Sequence, residues 1–270
     1  MTYASIMVAM DLTPDARDRA RVAGHLADAF HARLIGVAAD QPALIAAPAG
    51  PTPGSMQALA TSDEAILDRL RMVHAAFEDS VAGRSRVSWR SGIGAPLSFL
   101  VTQAAVADLV VLGARMGIEP TSFSVDPADA LIQLGRPALI VPPGIDHLDA
   151  SRIVIGWKNT REARRAVWDA LPFLKRASIV GVVAVDDGQA RDDTTAVIDF
   201  LRSHDIAADT VATDPFGATV GEALIEAAME RAAGLIVAGA HGHGRLREWA
   251  FGGVTRTLLT AAPICCLLSH

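Results

Sequence analysis

Short apolar runs rich in β-branched residues recur along the chain, separated by amphipathic stretches. IVI (153–155), SIVGVVAV (178–185), LIVAG (235–239) and PICCLL (263–268) show no polar alternation, which predicts strands covered on both faces. Between them, REARRAVWDALPFL places Ala163, Ala166, Val167 and Ala170 at helical spacing. VGEALIEAAMERA does the same with Ala223, Leu224, Ala227 and Ala228. Strands that alternate with helices imply right-handed parallel crossovers and a doubly wound α/β sheet.

The pattern is written twice. ADLVVLG (107–113) resembles AGLIVAG (233–239), and RPALIVPP (136–143) resembles APICCLLS (262–269), each at a shift of 126. SIMVAMDLTPDARDRA (5–20) resembles RIVIGWKNTREARRA (152–166), and ARLIGVAAD (32–40) resembles ASIVGVVAV (177–185). Segments recurring in one order indicate a duplicated domain. The expected division is 1–145 and 151–270, with PPGIDHLDAS (142–151) between. The first copy carries an insertion, QPALIAAPAGPTPGSMQ (41–57), whose Pro, Gly and Ala content predicts a mobile loop.

Composition narrows the function. With 270 residues, 51% of them hydrophobic, the chain can bury a substantial core. A net charge of −6 without any Lys/Arg block offers no field for nucleic acid. No apolar run is long enough to span a membrane, and the first residues lack the form of a secretory signal. The two cysteines, Cys265 and Cys266, are adjacent and poorly placed to bridge, so a reducing cytoplasm is expected and a packing role in the last strand.

The segment GAHGHGRLREWAFGGVTR (239–256) carries the chemistry. Gly239 ends a predicted strand, and in an open parallel sheet ligands sit beyond the carboxyl ends of the strands. Gly239, Gly242 and Gly244 let the backbone approach a ligand, and Gly252-Gly253 precedes the helical pattern VTRTLLTAA. A helix start offers free N–H groups and a partial positive charge, to which Thr255 adds a hydroxyl, so this is an anion cradle. Neither the P-loop nor the dinucleotide fingerprint fits, because no Gly-Lys-Ser/Thr follows and the loop comes after a late strand. His241 and His243 have no Cys, Asp or Glu at ligand spacing, so they are read as phosphate-facing or exposed and not as metal ligands. The acidic DDGQARDD (186–193) lacks calcium-loop spacing and reads as a solvated turn, while Trp157 and Trp168 read as packing residues.

The spacing Gly239, two residues, Gly242, nine residues, Gly252 and then Val254-Thr255 resembles the nucleotide loop of the universal stress protein family, and the likeness extends to both halves. It implies a Rossmann-like, adenine nucleotide alpha hydrolase-like fold of five parallel strands per copy, paired as an intramolecular pseudo-dimer. It also implies ATP or a related adenine nucleotide as ligand, with Mg2+ entering only with ATP. Residue by residue, Gly239, Gly242, Gly252, Gly253, Val254 and Thr255 fall to phosphate and ribose, and His241, read above as phosphate-facing or exposed, is counted with them. Val182 falls to a backbone contact with adenine, and Gly156 and Lys158 to the edge beside base and ribose. Gly253 stands where the family usually has Ser or Thr, and Lys158 where an Asp is common; an ammonium cannot accept a hydrogen bond from ribose or base. In the first copy Asp11 is in place, but Gly113-Ala-Arg-Met-Gly117 is mis-spaced and SFSVDPADALIQ lacks a glycine pair, so that loop is expected not to hold phosphate. The function expected is a nucleotide-dependent regulator in stress response. A slow ATPase or adenylyl-transferring enzyme and a nucleotide-free interaction module are the alternatives, and any further oligomer would use another surface.

Overall fold

The computed structural model describes residues 2–42, 53–114, 121–184, 190–212, 219–240 and 253–270, apart from the side chains of 53–62 and 190–193. The first half runs β1 (Ser5–Ala9), α1 (Ala16–Phe30), β2 (Arg33–Asp40), α2 (Pro53–Ser80), β3 (Val87–Ile93), α3 (Pro96–Gln103), β4 (Leu109–Gly113), α4 (Pro127–Gln133) and β5 (Ala138–Val141). The second half repeats it as β6 (Arg152–Trp157), α5 (Arg161–Leu174), β7 (Ile179–Ala184), α6 (Ala190–Ser203), β8 (Asp209–Val211), α7 (Val220–Glu230), β9 (Leu235–Gly239), α8 (Gly253–Ala261) and β10 (Cys265–Ser269).

The ten strands of the described residues form one sheet, in the order β3-β2-β1-β4-β5-β10-β9-β6-β7-β8. Pairing is parallel within each half, and β5 meets β10 antiparallel. Leu139 pairs with Leu267, flanked symmetrically by Ile140 with Cys266 and Ala138 with Leu268, so a pseudo-twofold axis passes between the two leucines. That is the internal pairing expected of joined copies.

Strand alternation sorts the core into two layers. Ile153, Ile155 and Trp157 of β6 face a layer shared with α1, α2, α5 and α6, whereas Val154 faces a layer built with α3, α4, α7 and α8. The halves also meet away from the seam. Phe173 of α5 packs its ring 5.5 Å from Tyr3 and 5.2 Å from Phe30, all three being buried. Tyr3 donates its hydroxyl hydrogen to the Asp169 carbonyl at 2.5 Å, and Arg176 lies 4.3 Å over the Phe30 ring.

Three expectations need correction. The 41–57 insertion is not loop throughout, because α2 begins at Pro53, where a proline fits the first helical turn and costs no hydrogen bond; residues 43–52 lie outside the described residues. Residues 190–193 of the acidic stretch open α6 and are not a turn, whereas 186–189 lie outside the described residues. The shift of 126 also fails at the last strand. Val110 pairs with Ala138 and Ile236 with Cys266, which sets β5 and β10 at a shift of 128 while β4 and β9 keep 126. Burial agrees, since Ala130, Leu131 and Leu134 correspond to Leu258, Leu259 and Ala262. The second half therefore has two extra residues between β9 and α8, within the glycine-rich segment.

Candidate functional site

The carboxyl edge of the second half is an ordered row. Strand register aligns Gly156 with Ala238 on one side and Val183 on the other. One residue further, Trp157 lies beside Ala184, level with Gly239 at the end of β9. Two glycines of this row admit helices. A Cβ on Gly239 would stand 2.5 Å from the Ala163 nitrogen and 2.7 Å from the Glu162 carbonyl carbon, so its absence lets the start of α5 settle onto the strand end. A Cβ on Gly156 would lie 2.6 Å from Leu224 Cδ2, so that glycine makes room for α7. Both residues are expected to face a ligand; each also has a packing reason that periodicity does not reveal.

Val182 is fully buried in β7, bound to Ile155 on one side and Thr210 on the other, two residues short of the strand end. The residue of β7 that reaches the edge is Ala184. Lys158 follows Trp157 and is half-buried, and its carbonyl accepts from the Thr160 amide at 2.6 Å. Trp157 belongs to the core, 6% exposed, whereas Trp168 is 43% exposed beside Phe200 and His204.

Helix α8 begins at this edge. Gly253 is exposed, with nothing among the described residues within 4 Å of where its Cβ would be; Val254 is half-buried and Thr255 buried. His241, Gly242 and Gly252 lie outside the described residues. The electrostatics of α8 differ from those of its neighbours. Helix α5 carries Glu162 in its first turn, and α7 carries Glu222 in a capping box with Thr219. The first turn of α8, by contrast, holds no carboxylate. Its amino end keeps the positive potential that attracts an anion.

The first half answers the same positions differently. Helix α4, which corresponds to α8, is capped by Asp126, whose carboxylate accepts from the Ala128 amide at 2.9 Å, and Asp129 follows in its first turn. A negative group thus already occupies that end. Beside it, Arg19 is 4% exposed and fills the space in front of Gly113, where a Cβ would stand 2.5 Å from Nη1. Arg19 donates to the Ala9 carbonyl at 2.8 Å and to Asp11 at 2.8 Å; Asp11 also accepts from the Thr13 amide and hydroxyl. Burial alone would raise the Asp11 carboxyl, but Arg19 and the Thr13 hydrogen bonds outweigh it and hold the group below its ordinary value. A cavity of about 240 Å³ remains, with Asp15 and Asp126 on its walls. Arg19 aligns with Ala166 in the second half, and no spacing rule marks it out.

The cysteines are structural. Both are free and buried, and burial pushes the Cys265 thiol up to about 12 and the Cys266 thiol higher still. A thiol reagent at pH 8 should therefore label neither residue in the native protein and both on denaturation. Rapid labelling of folded protein would contradict this placement.

Comparison with known proteins adds to the geometry. A family model described as the universal stress protein family matches residues 150–270. No curated protein sequence matches the chain significantly. A universal stress protein from Archaeoglobus fulgidus DSM 4304 superposes with a TM-score of 0.70 at 13% identity, covering 98% of each chain. A functionally unknown protein from Pseudomonas aeruginosa PAO1 superposes with a TM-score of 0.54 at 14% identity, covering 99% of this chain and 92% of its own. A universal stress protein solved in complex with cAMP covers 52% of this chain and 98% of its own at 23% identity, with a TM-score of 0.37 that is too low to compare sites. The two full-length superpositions establish a common fold, and residues 150–270 match the universal stress protein family.

Proposed function

We propose that the chain is a stress-response regulator that binds ATP or a related adenine nucleotide at the carboxyl edge of its second half, one ligand per chain. The observation that carries this reading is the start of α8, which lacks the carboxylate that α5 and α7 place in their first turns. Phosphate would sit against Gly253, Val254 and Thr255, with Gly239, His241, Gly242 and Gly252 forming the rest of the cradle. The base would lie at the ends of β6 and β7, near Gly156, Lys158 and the strand that contains Val182. Mg2+ would arrive with the triphosphate. The first half, with Asp126 at its helix start and Arg19 in front of Gly113, would serve as the fixed partner. The division into 1–145 and 151–270 follows the same contrast. Two free cysteines suit a reducing cytoplasm, and among the described residues no helix is long and apolar enough to cross a membrane.

Thermal unfolding with ATP tests the reading. At 100 times its dissociation constant, ATP should add about 2.7 kcal/mol of stability at a stoichiometry of one. Gly253→Asp places a carboxylate in the first turn of α8 and should abolish the effect. An undiminished ATP shift in that variant would remove phosphate from the start of α8.

A further inference from the structure

Two histidines 122 residues apart meet on the surface of the first half. His25 lies on α1 and His147 in the segment joining β5 to β6; their Nδ1 atoms are 3.4 Å apart and their ring planes meet at 64°. Both rings are exposed, yet both stand on fixed backbone. His25 is flanked by buried Gly24 and Leu26 on a 15-residue helix. His147 precedes Leu148, which is buried in the core, and the Asp149 carbonyl closes against Gly234, where a Cβ would stand 1.9 Å away.

The separation has a chemical meaning. Two imidazole nitrogens bound to one tetrahedral zinc, each at about 2.0–2.1 Å, stand about 3.3–3.4 Å apart. The two rings already turn the same nitrogen, Nδ1, toward each other. Exposed Asp146 and Asp149 flank His147 and add negative charge around the pair.

We propose that His25 and His147 form a two-nitrogen site for a divalent transition ion of the zinc or nickel class, which staples the segment between the halves onto α1. Among the described residues no three metal-ligating side chains cluster, so water completes the coordination. The ion binds only when α1 and the joining segment are in their folded positions, so it stabilises the folded chain in proportion to the logarithm of its concentration. Imidazole favours such ions over Mg2+, a hard ion that prefers oxygen.

The test is titration of the full chain with NiCl2 and ZnCl2, read by calorimetry and by melting temperature, with MgCl2 as control. The variants are His25→Ala, His147→Ala, both together, and His241→Ala with His243→Ala to remove the other histidine pair. The expected result is one equivalent of Ni2+ that survives in the His241→Ala/His243→Ala protein. Binding should weaken at least tenfold in each of His25→Ala and His147→Ala and no further in their double variant, because a chelate needs both arms. The ion-dependent rise in melting temperature should vanish with either arm. Absence of binding, less than tenfold weakening in either single variant, or loss only with His241 and His243 would overturn the site.

Discussion

Phe173→Ala should lower unfolding stability by about 3–5 kcal/mol, the cost of truncating a buried phenylalanine in a core that cannot collapse around the gap. Phe173 is 2% exposed and belongs to α5 of the second half, but its ring partners, Tyr3 and Phe30, belong to the first. The truncation therefore loosens the grip of one half on the other as well as the core beneath α5. Denaturant unfolding should show a lower midpoint. Met229→Ala, at a residue 52% exposed, should change stability little. A loss below about 1 kcal/mol for Phe173→Ala would mean that the halves do not rely on this cluster.

Arg19→Met has the second largest expected effect. Removing one partner of a buried ion pair leaves an uncompensated charge, at a typical cost of about 3–5 kcal/mol. The Asp11 side chain keeps 17% of its exposure, which places this case at the lower end, about 3 kcal/mol. The pH dependence separates lost charge pairing from lost packing. In the native protein the depressed Asp11 carboxyl contributes stability that is present above its unfolded value near 3.8 and lost as pH falls through the lower folded value. Without Arg19, burial raises that carboxyl, so the variant suffers most where Asp11 is ionised. The deficit should be large at pH 7 and shrink by pH 3. A deficit equal at both would assign Arg19 to packing alone.

Periodicity was enough to read the architecture, because strands buried on both faces and helices striped with alanine leave unmistakable periods. REARRAVWDALPFL forms α5, and LIVAG forms β9. The register of β10 was not legible in the same way. A slip of two residues returns every side chain to the same face, so the hydrophobic pattern is blind to the difference between 126 and 128. The site was legible as glycine spacing, but the physical contrast between the halves was not. Asp126 acts as a cap only because its carboxylate folds back on the Ala128 amide, and Arg19 matters only because it reaches from α1 to Gly113 at the end of β4. The start of α2 was hidden for a simpler reason, since proline opens a helix as readily as it marks a loop.

The seam between Leu139 and Leu267 also orders events during synthesis. Strand β5 leaves the ribosome roughly 120 residues ahead of the partner that will cover it, an interval on the order of ten seconds at ordinary elongation rates. Until then a four-residue apolar strand, ALIV, lies at the rim of an otherwise finished half-sheet with one row of backbone groups unpaired. A second nascent chain on the same messenger exposes the identical strand, and the near-symmetry of β5 and β10 makes that strand a competing partner. Slow translation lengthens the window and crowded polysomes fill it, so yield of the folded chain should fall with ribosome density even when the finished protein is stable.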